Sequence, residues 1–478
     1  MNLFREQLFR MTNNFENTDD NKLLIKDFEN SIQNQEPCFF SFESFEVIIE
    51  HYLEQGKYNI ALKACHMAKE QHPFTSEILT LEAQVLHNLG NYDEALEILE
   101  YVNTIHPSDS EASVIKGNIL QSLGQIKAAL EAYESALAYA EEKDDIYFQI
   151  GYCHQSQMSF PKAIEAYKHA LELNIKNENA LFEMAFCYDA LGKLESSIEY
   201  YQKFIDNDPY SHQAWYNLGI VYEKLENYKK AIWAYEYATL INDNFAAAFF
   251  NLGKAYCATE EFEMSLKSFS ESIKIEGPNS ETYTEIAITY QMLKDYEQAI
   301  KLFQRAIKLD DFYAKPWHGM GDCLAELNKH NEAIHFFKKA IKLDYDNPGY
   351  WKSLAKSEYH TGHTVASLEA YEEAVVLNPN DEETWLNWSY IYYEQGEYDK
   401  SIEILQASIE EITECASLHY RLSAYLISAG KLKQAYNCLQ NALTLDFDKH
   451  IEIFDFNPEL MHQSDLSRII DQYRKKNL

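Results

Sequence analysis

The sequence predicts an all-α fold built from one short helical unit repeated along the chain, and three observations predict it. Counting 34-residue units from Phe42, the twentieth position is small in all twelve: Ala61, Ala95, Ala129, Ala163, Ser197, Ala231, Ser265, Ala299, Ala333, Ser367, Ser401 and Ala435. The twenty-fourth position carries Tyr133, Tyr167, Tyr201, Tyr235, Phe269, Phe303, Phe337 and Tyr371 in eight consecutive units. With 15 Gly and 10 Pro in 478 residues, the chain is too poor in turn residues for many short strands. A fixed period of this length marks a solenoid, in which each unit buries its apolar face against its neighbours. The several globular domains that the length alone suggests are therefore replaced by one array.

Residues 1–41 hold two helix-like pieces, Leu3–Asn14 and 20–33, with Leu23, Leu24, Phe28 and Ile32 on one face of the second. They form an N-terminal helical cap or a degenerate repeat, because the first true repeat would otherwise leave its apolar end in water.

From residue 42 the repeats run without insertion to residue 449. Each is expected to contain a first helix over positions 2 to 14 and a second over positions 18 to 31. Position 8 is Gly117, Gly151, Gly219, Gly253 or Gly321, or a small side chain such as Ala83, Ala185, Ala287, Ala355, Ser389 or Ser423; Ile49 alone departs. Small residues at positions 8 and 20 let the two helices approach closely, and the ring at position 24 fills the space beside them. That aromatic series is core packing. Pro73, Pro107, Pro209 and Pro379 end second helices, because proline cannot continue them. Cys153, Cys187 and Cys323 share one helix position and read as small buried residues. Residues 450–478 form C-terminal capping helices: Asn457, Pro458 and Glu459 make a helix start, and Leu466, Ile469, Ile470 and Tyr473 form one apolar stripe.

A net charge of −35 opposes binding to phosphate backbones and to anionic lipid, so no nucleic-acid partner is expected. Met1–Leu24 is studded with charge and lacks the apolar core of a signal peptide, and no run is long enough to span a membrane. A cytoplasmic protein without membrane insertion is expected. Phosphate-binding loops, nucleophile elbows and zinc-protease helices are absent from the sequence. Cys153 and His154, near Cys187, are the nearest thing to a metal cluster, and His154 replaces a core tyrosine. The reading is therefore of a protein that is not an enzyme and carries no cofactor and no metal.

Trp215, Leu218, Gly219 and Tyr222, followed by Ala231, Tyr235 and Ala238, resemble the tetratricopeptide repeat signature. The resemblance implies a right-handed superhelical solenoid of helix-turn-helix units that works as a protein-binding scaffold or adaptor. The alternative it leaves open is a non-catalytic regulatory subunit or peptide sensor whose solenoid changes curvature on binding. In such a solenoid the first helices line a groove, and ligands are met mainly by positions 2, 5, 6, 9, 12 and 13. Those positions place Phe148, Tyr152, Phe182, Phe186, Tyr216, Asn217, Phe250 and Asn251 in a partner-binding groove across repeats 4 to 7. Lys352, Lys356, Asn387 and Arg421 resemble the family's clamp for a C-terminal carboxylate. Lys356 stands where that clamp has Asn, and Ser417 where it has Lys. Neutralisation by Glu358, Glu383 or Glu394 is the competing expectation for those cations.

Overall fold

The computed structural model describes residues 21–33, 38–73 and 75–477, so the helix expected over Leu3–Asn14 lies outside it. Among the described residues every regular element is helical. Helix pairs follow the 34-residue phase from Phe42–Glu54 with Tyr58–Gln71 to Ala416–Ser428 with Leu432–Leu445. Packing divides the chain into two compact units, Met1–Ile241 and Asn242–Leu478, which hold repeats 1–6 and 7–12 respectively. Within each unit, first helices of neighbouring repeats also touch, as in repeats 4 and 5 or 11 and 12.

The helices start one residue earlier than expected, over positions 1 to 13 and 17 to 30 in most repeats. The cap explains the shift. The last residue of the preceding repeat serves as N-cap, its side chain accepting from a backbone N–H in the first turn: Asp109 from Ala112, Asn177 from Ala180, Ser211 from Ala214 and Asn279 from Thr282. In repeat 5 the second helix opens with a 3₁₀ turn, Leu194–Ser197, before Ile198–Asn207.

Position 15 ends the first helix in the left-handed region in all twelve repeats. Seven use glycine, such as Gly90 and Gly124, whereas Met158, Glu226, Glu260, Lys294 and Asn328 adopt φ of 55 to 63°. The turn is closed as a Schellman motif, with the Asn227 N–H donating to the Tyr222 carbonyl at 2.8 Å and the Glu226 N–H to Glu223 at 2.9 Å. The recurring 34-residue frame thus imposes one backbone shape on unlike residues.

The core follows the small and aromatic series. Every position-20 residue is fully buried, and the eight position-24 rings are at most 3% exposed. Tryptophan at position 4 links consecutive repeats: the indole N–H donates to the carbonyl six residues earlier, from Trp215 to Pro209 at 3.0 Å, Trp317 to Asp311 at 3.1 Å, Trp351 to Tyr345 at 2.9 Å and Trp385 to Pro379 at 2.8 Å. His419 holds the same position in repeat 12, where its buried Nδ1 has no hydrogen-bond partner; burial lowers its pKa.

At the N-terminal end, Phe28 of helical residues 21–33 packs 6.0 Å from both Phe40 and Tyr52. Leu24 and Ile32, four residues on either side of Phe28, share its face, whereas Leu23 is exposed, contrary to expectation. Five residues from Phe28 is too great a rotation for Leu23 to reach that stripe. At the C-terminal end the helix expected from Asn457 is broken. Asn457 does act as a cap, accepting from the Glu459 N–H, but it opens only a 3₁₀ turn, Pro458–His462, and the long helix runs from Ser464 to Asn477. Leu466, Ile469 and Ile470 of that helix are buried against the last repeat.

Candidate functional site

In the first unit, Asp144–Ser156 and Glu178–Ala190, the first helices of repeats 4 and 5, lie side by side. Position 9 of the first is Tyr152, 43% exposed, and positions 5 and 9 of the second are Phe182 and Phe186, 49% and 51% exposed. These rings stay open although water penalises them. Phe186 meets the edge of Phe160, at 6.5 Å.

Phe148 and Tyr216 occupy position 5 of repeats 4 and 6 and are half-buried. Each lies against the position-24 ring of its own repeat, Phe148 at 5.8 Å from Tyr167 and Tyr216 at 5.8 Å from Tyr235. Asn217 is a correction to the expected groove row: it is only 7% exposed. It lies three residues after Ala214 and four before Val221, both buried, so it shares the packed face of its helix. Its Oδ1 accepts a long hydrogen bond from Gln213 Nε2 at 3.5 Å.

A hydrogen-bond relay lies alongside this surface. Tyr167 donates to Gln155 Oε1 at 2.7 Å, and Gln155 Nε2 donates to Glu183 at 2.5 Å. The Cys187 thiol donates to the same Gln155 oxygen at 3.3 Å, and the Cys153 thiol to Gln121 at 3.5 Å. Burial pushes these thiols up to about 12 and about 11, which keeps them protonated and able to donate.

In the second unit, Phe250 repeats the position-5 contact, 5.7 Å from Phe269, and Asn251 is half-buried beside it. The cations expected to form a carboxylate clamp are all engaged. Lys352 Nζ sits 2.9 Å from Asp381 and 3.1 Å from Glu383, and Lys356 Nζ sits 2.5 Å from Glu383. The Lys356 hydrogen bond holds the Glu383 carboxyl below its usual range. For Asp381 burial acts upward, but hydrogen bonds from Thr384 and Lys352 leave it lowered as well. Arg421 lies over the Phe456 ring at 4.0 Å, and Asn387 is half-buried. Glu358 and Glu394 bond elsewhere, Glu358 to Lys338 and His363, and Glu394 to Tyr359 and Tyr390. Both lysines are already paired, so a carboxylate ligand there competes with Asp381 and Glu383.

Two further arrangements lie outside the residues expected from the sequence. His318, Asp322 and Ser353, at positions 5, 9 and 6 of repeats 9 and 10, form a closed ring: His318 Nε2 to Ser353 Oγ at 3.0 Å, Ser353 Oγ donating to Asp322 Oδ1 at 3.2 Å, and Asp322 Oδ2 to His318 Nδ1 at 3.2 Å. Burial pushes Asp322 up to about 7 and His318 down to about 4. A protonated Asp322 donating to Nδ1 and an Nε2–H donating to Ser353 satisfy all three groups. The serine hydroxyl then donates to the carboxyl and not to the imidazole, which orders the serine without activating it. The second arrangement is on the second helix of repeat 6, where Trp233, Tyr237 and Leu240 are exposed at positions that hold Glu199, Lys203 and Asp206 in repeat 5. Trp215 stacks on Tyr237 at 4.5 Å. Comparing outward positions between repeats would have found this stripe.

Helix pairs in one phase, a small-and-aromatic core and neighbouring first helices in contact within each unit define a helical-repeat solenoid. Tetratricopeptide repeat models match residues 48–110, 116–178 and 188–248, then 244–311 and 279–346, then 314–445. The chain belongs to the tetratricopeptide repeat family, whose repeats generally mediate protein or peptide interactions and are generally non-catalytic. No curated protein matches the chain. Among solved structures, it is similar to a tetratricopeptide repeat protein from Parabacteroides merdae ATCC 43184, at 20% identity over 52% of this chain and 98% of that one, with a TM-score of 0.41. It is also similar to the APC/C hetero-tetramer Cut9-Hcn1, at 14% identity over 91% and 96% of the two chains, with a TM-score of 0.38. A third is YrrB, described as a tetratricopeptide repeat protein with an unusual peptide-binding site, at 17% identity over 38% and 95%, with a TM-score of 0.31. Among the described residues no helix is long and apolar enough to cross a membrane.

Proposed function

We propose that the protein is a scaffold or adaptor that holds a segment of a partner protein against the first helices of repeats 4 to 6. In this reading residues 42–449 are the working repeats, and residues 1–41 and 450–478 cap the two ends. The observation that carries it is the open aromatic group Tyr152, Phe182 and Phe186 on two adjoining first helices, which leaves apolar rings in water unless a ligand covers them. The free cysteines suit a reducing compartment, and the cytoplasm is the reading they support.

The test uses the intact chain with Phe182→Ser and Phe186→Ser. Loss of the captured partner with an unchanged melting temperature supports the site, whereas retention of the partner removes it. Tyr216 and Phe250 are poorer probes, because each also packs on a core ring. Small-angle scattering of the chain with and without the partner segment separates a static scaffold from the sensor alternative, which requires a change of curvature on binding.

A further inference from the structure

At the end of repeat 12 the chain makes a 3₁₀ turn, Asp448–Ile451, then a five-residue helix, Glu452–Phe456, and a second 3₁₀ turn, Pro458–His462. One side of this segment is structural: Ile453 and Leu460 are buried in the core of the last repeat. The segment also carries Phe456, which is only half-buried at the edge of that core and touches rings and a cation from two first helices. Its ring lies 4.0 Å from the Arg421 guanidinium, 5.2 Å from Tyr393, 5.5 Å from Tyr425 and 6.1 Å from Tyr390. Tyr390 and Tyr393 come from the first helix of repeat 11, Glu382–Glu394, and Arg421 and Tyr425 from that of repeat 12. Tyr390 stands at position 9, where repeats 4 and 5 show the exposed Tyr152 and Phe186. The surface that is open at one place in the array is here covered by the chain itself.

We infer that the box of Tyr390, Tyr393, Tyr425 and Arg421 is a recognition site for a peptide carrying a phenylalanine with acidic neighbours, and that Phe456 is its tethered occupant. The chemistry of the occupant defines the ligand. Three rings meet Phe456 tilted or at the edge, and a guanidinium covers its face, which suits an electron-rich ring. Glu452 and Asp455 flank it with carboxylates, and Arg421 is the cation set among the rings. The rings are held in place by their own hydroxyls, Tyr390 donating to Glu394 at 2.9 Å and Tyr393 bonded to Ser428 at 3.0 Å, so the box does not depend on Phe456 for its shape. The occupant is easily released. A helix of five residues between two 3₁₀ turns has no stability of its own and stays only through tertiary contacts. Ile453 and Leu460 can keep their places while the Phe456 ring leaves. As a tethered group it competes at an effective concentration on the order of millimolar, so it masks the box from weaker ligands in trans.

The experiment measures binding of a fluorescent, acetylated and amidated Glu-Ile-Phe-Asp-Phe peptide to the full chain. Phe456→Ser should bind it at least tenfold more tightly than wild type. Adding Arg421→Ala or Tyr393→Ala to Phe456→Ser should reverse that gain, and a peptide with the last Phe replaced by Ala should not bind. Equal affinity of wild type and Phe456→Ser, or no binding to Phe456→Ser at 1 mM peptide, would overturn the proposal. Hydrogen exchange on unmutated chain gives a second reading that needs no variant to fold. Saturating peptide should speed exchange over residues 452–457 and leave residues 464–477 unchanged, and protection of 452–457 by peptide would overturn it. Concentration-dependent dimerisation of wild type that Phe456→Ser abolishes would also overturn the peptide reading, in favour of tail exchange between two copies.

Discussion

The ring of Tyr235 occupies the space into which a Cβ on Gly219 would project. The same relationship holds in other repeats: a Cβ at Gly117 would lie 2.5 Å from Tyr133, one at Gly151 2.5 Å from Tyr167, and one at Gly321 2.5 Å from Phe337. In the repeats with glycine at position 8, the missing side chain makes room for the ring at position 24, and the two choices are one packing decision.

Gly219→Ala should therefore destabilise the chain although alanine is the better helix former. The propensity gain of roughly 1 kcal/mol competes with an overpacking cost of about 1–3 kcal/mol, because a buried ring cannot move aside. Pairing Gly219→Ala with Tyr235→Leu should recover part of the loss. Denaturant midpoints of the two variants check this, and a neutral Gly219→Ala would show that the ring yields.

Position 15 offers the opposite experiment. Met158 has φ of 56° and its side chain is 78% exposed, so it bears left-handed strain with little burial in return. Met158→Gly should stabilise by about 0.5–1 kcal/mol, since the left-handed penalty of roughly 1–2 kcal/mol exceeds the entropy that glycine adds to the unfolded chain. Glu226→Gly should behave alike. Asn328→Gly should gain less, because asparagine tolerates this region. Thermal melts of the three variants give the ranking.

The His318 and Asp322 pair predicts a change of pH dependence. The folded value of Asp322, about 7, lies above the ordinary 3.8. Between those values the folded chain holds a proton that the unfolded chain has released, and this stability is lost as pH rises from 3.8 toward 7. His318, at about 4 instead of 6.5, refuses a proton that the unfolded chain accepts, so stability is lost as pH falls from 6.5 toward 4. The two effects oppose each other in the wild type. Asp322→Asn removes the first and keeps the second, so the variant should lose about 2 kcal/mol between pH 7 and pH 5 relative to its own value at pH 7. Wild type should change by less over the same interval. Urea midpoints at pH 5, 6, 7 and 8 test it, and parallel curves for the two proteins would remove the mechanism.

The periodic core was legible in the sequence because packing restricts size at positions 8, 20 and 24 wherever they recur. The helix starts were misplaced by one residue because the cap belongs to the preceding repeat, as with Asp109 and Ala112. Leu23 and Asn217 went astray for a common reason: a helix face is set by steps of three and four, and a residue just off that step changes environment. The engagement of Lys352 and Lys356 was half legible, since Glu383 was a named competitor whereas Asp381 was not. Phe456 was not legible at all. Its surroundings are drawn from two repeats far back in the chain, and no local pattern announces that a tail residue will fold back onto them.

The tryptophan links between repeats are unevenly distributed, and that decides how the array comes apart. Among the described residues of the first unit the indole tie occurs only at Trp215, whereas in the second it occurs at three successive junctions, through Trp317, Trp351 and Trp385. At the next junction the tie is missing, since His419 leaves its Nδ1 unused. Because each repeat is held mainly by its two neighbours, a junction without the tie is a place where fraying can halt or begin. Under mechanical tension or mild denaturant, repeats 8 to 11 should let go as a block, after the untied repeats 1 to 4 have already unravelled.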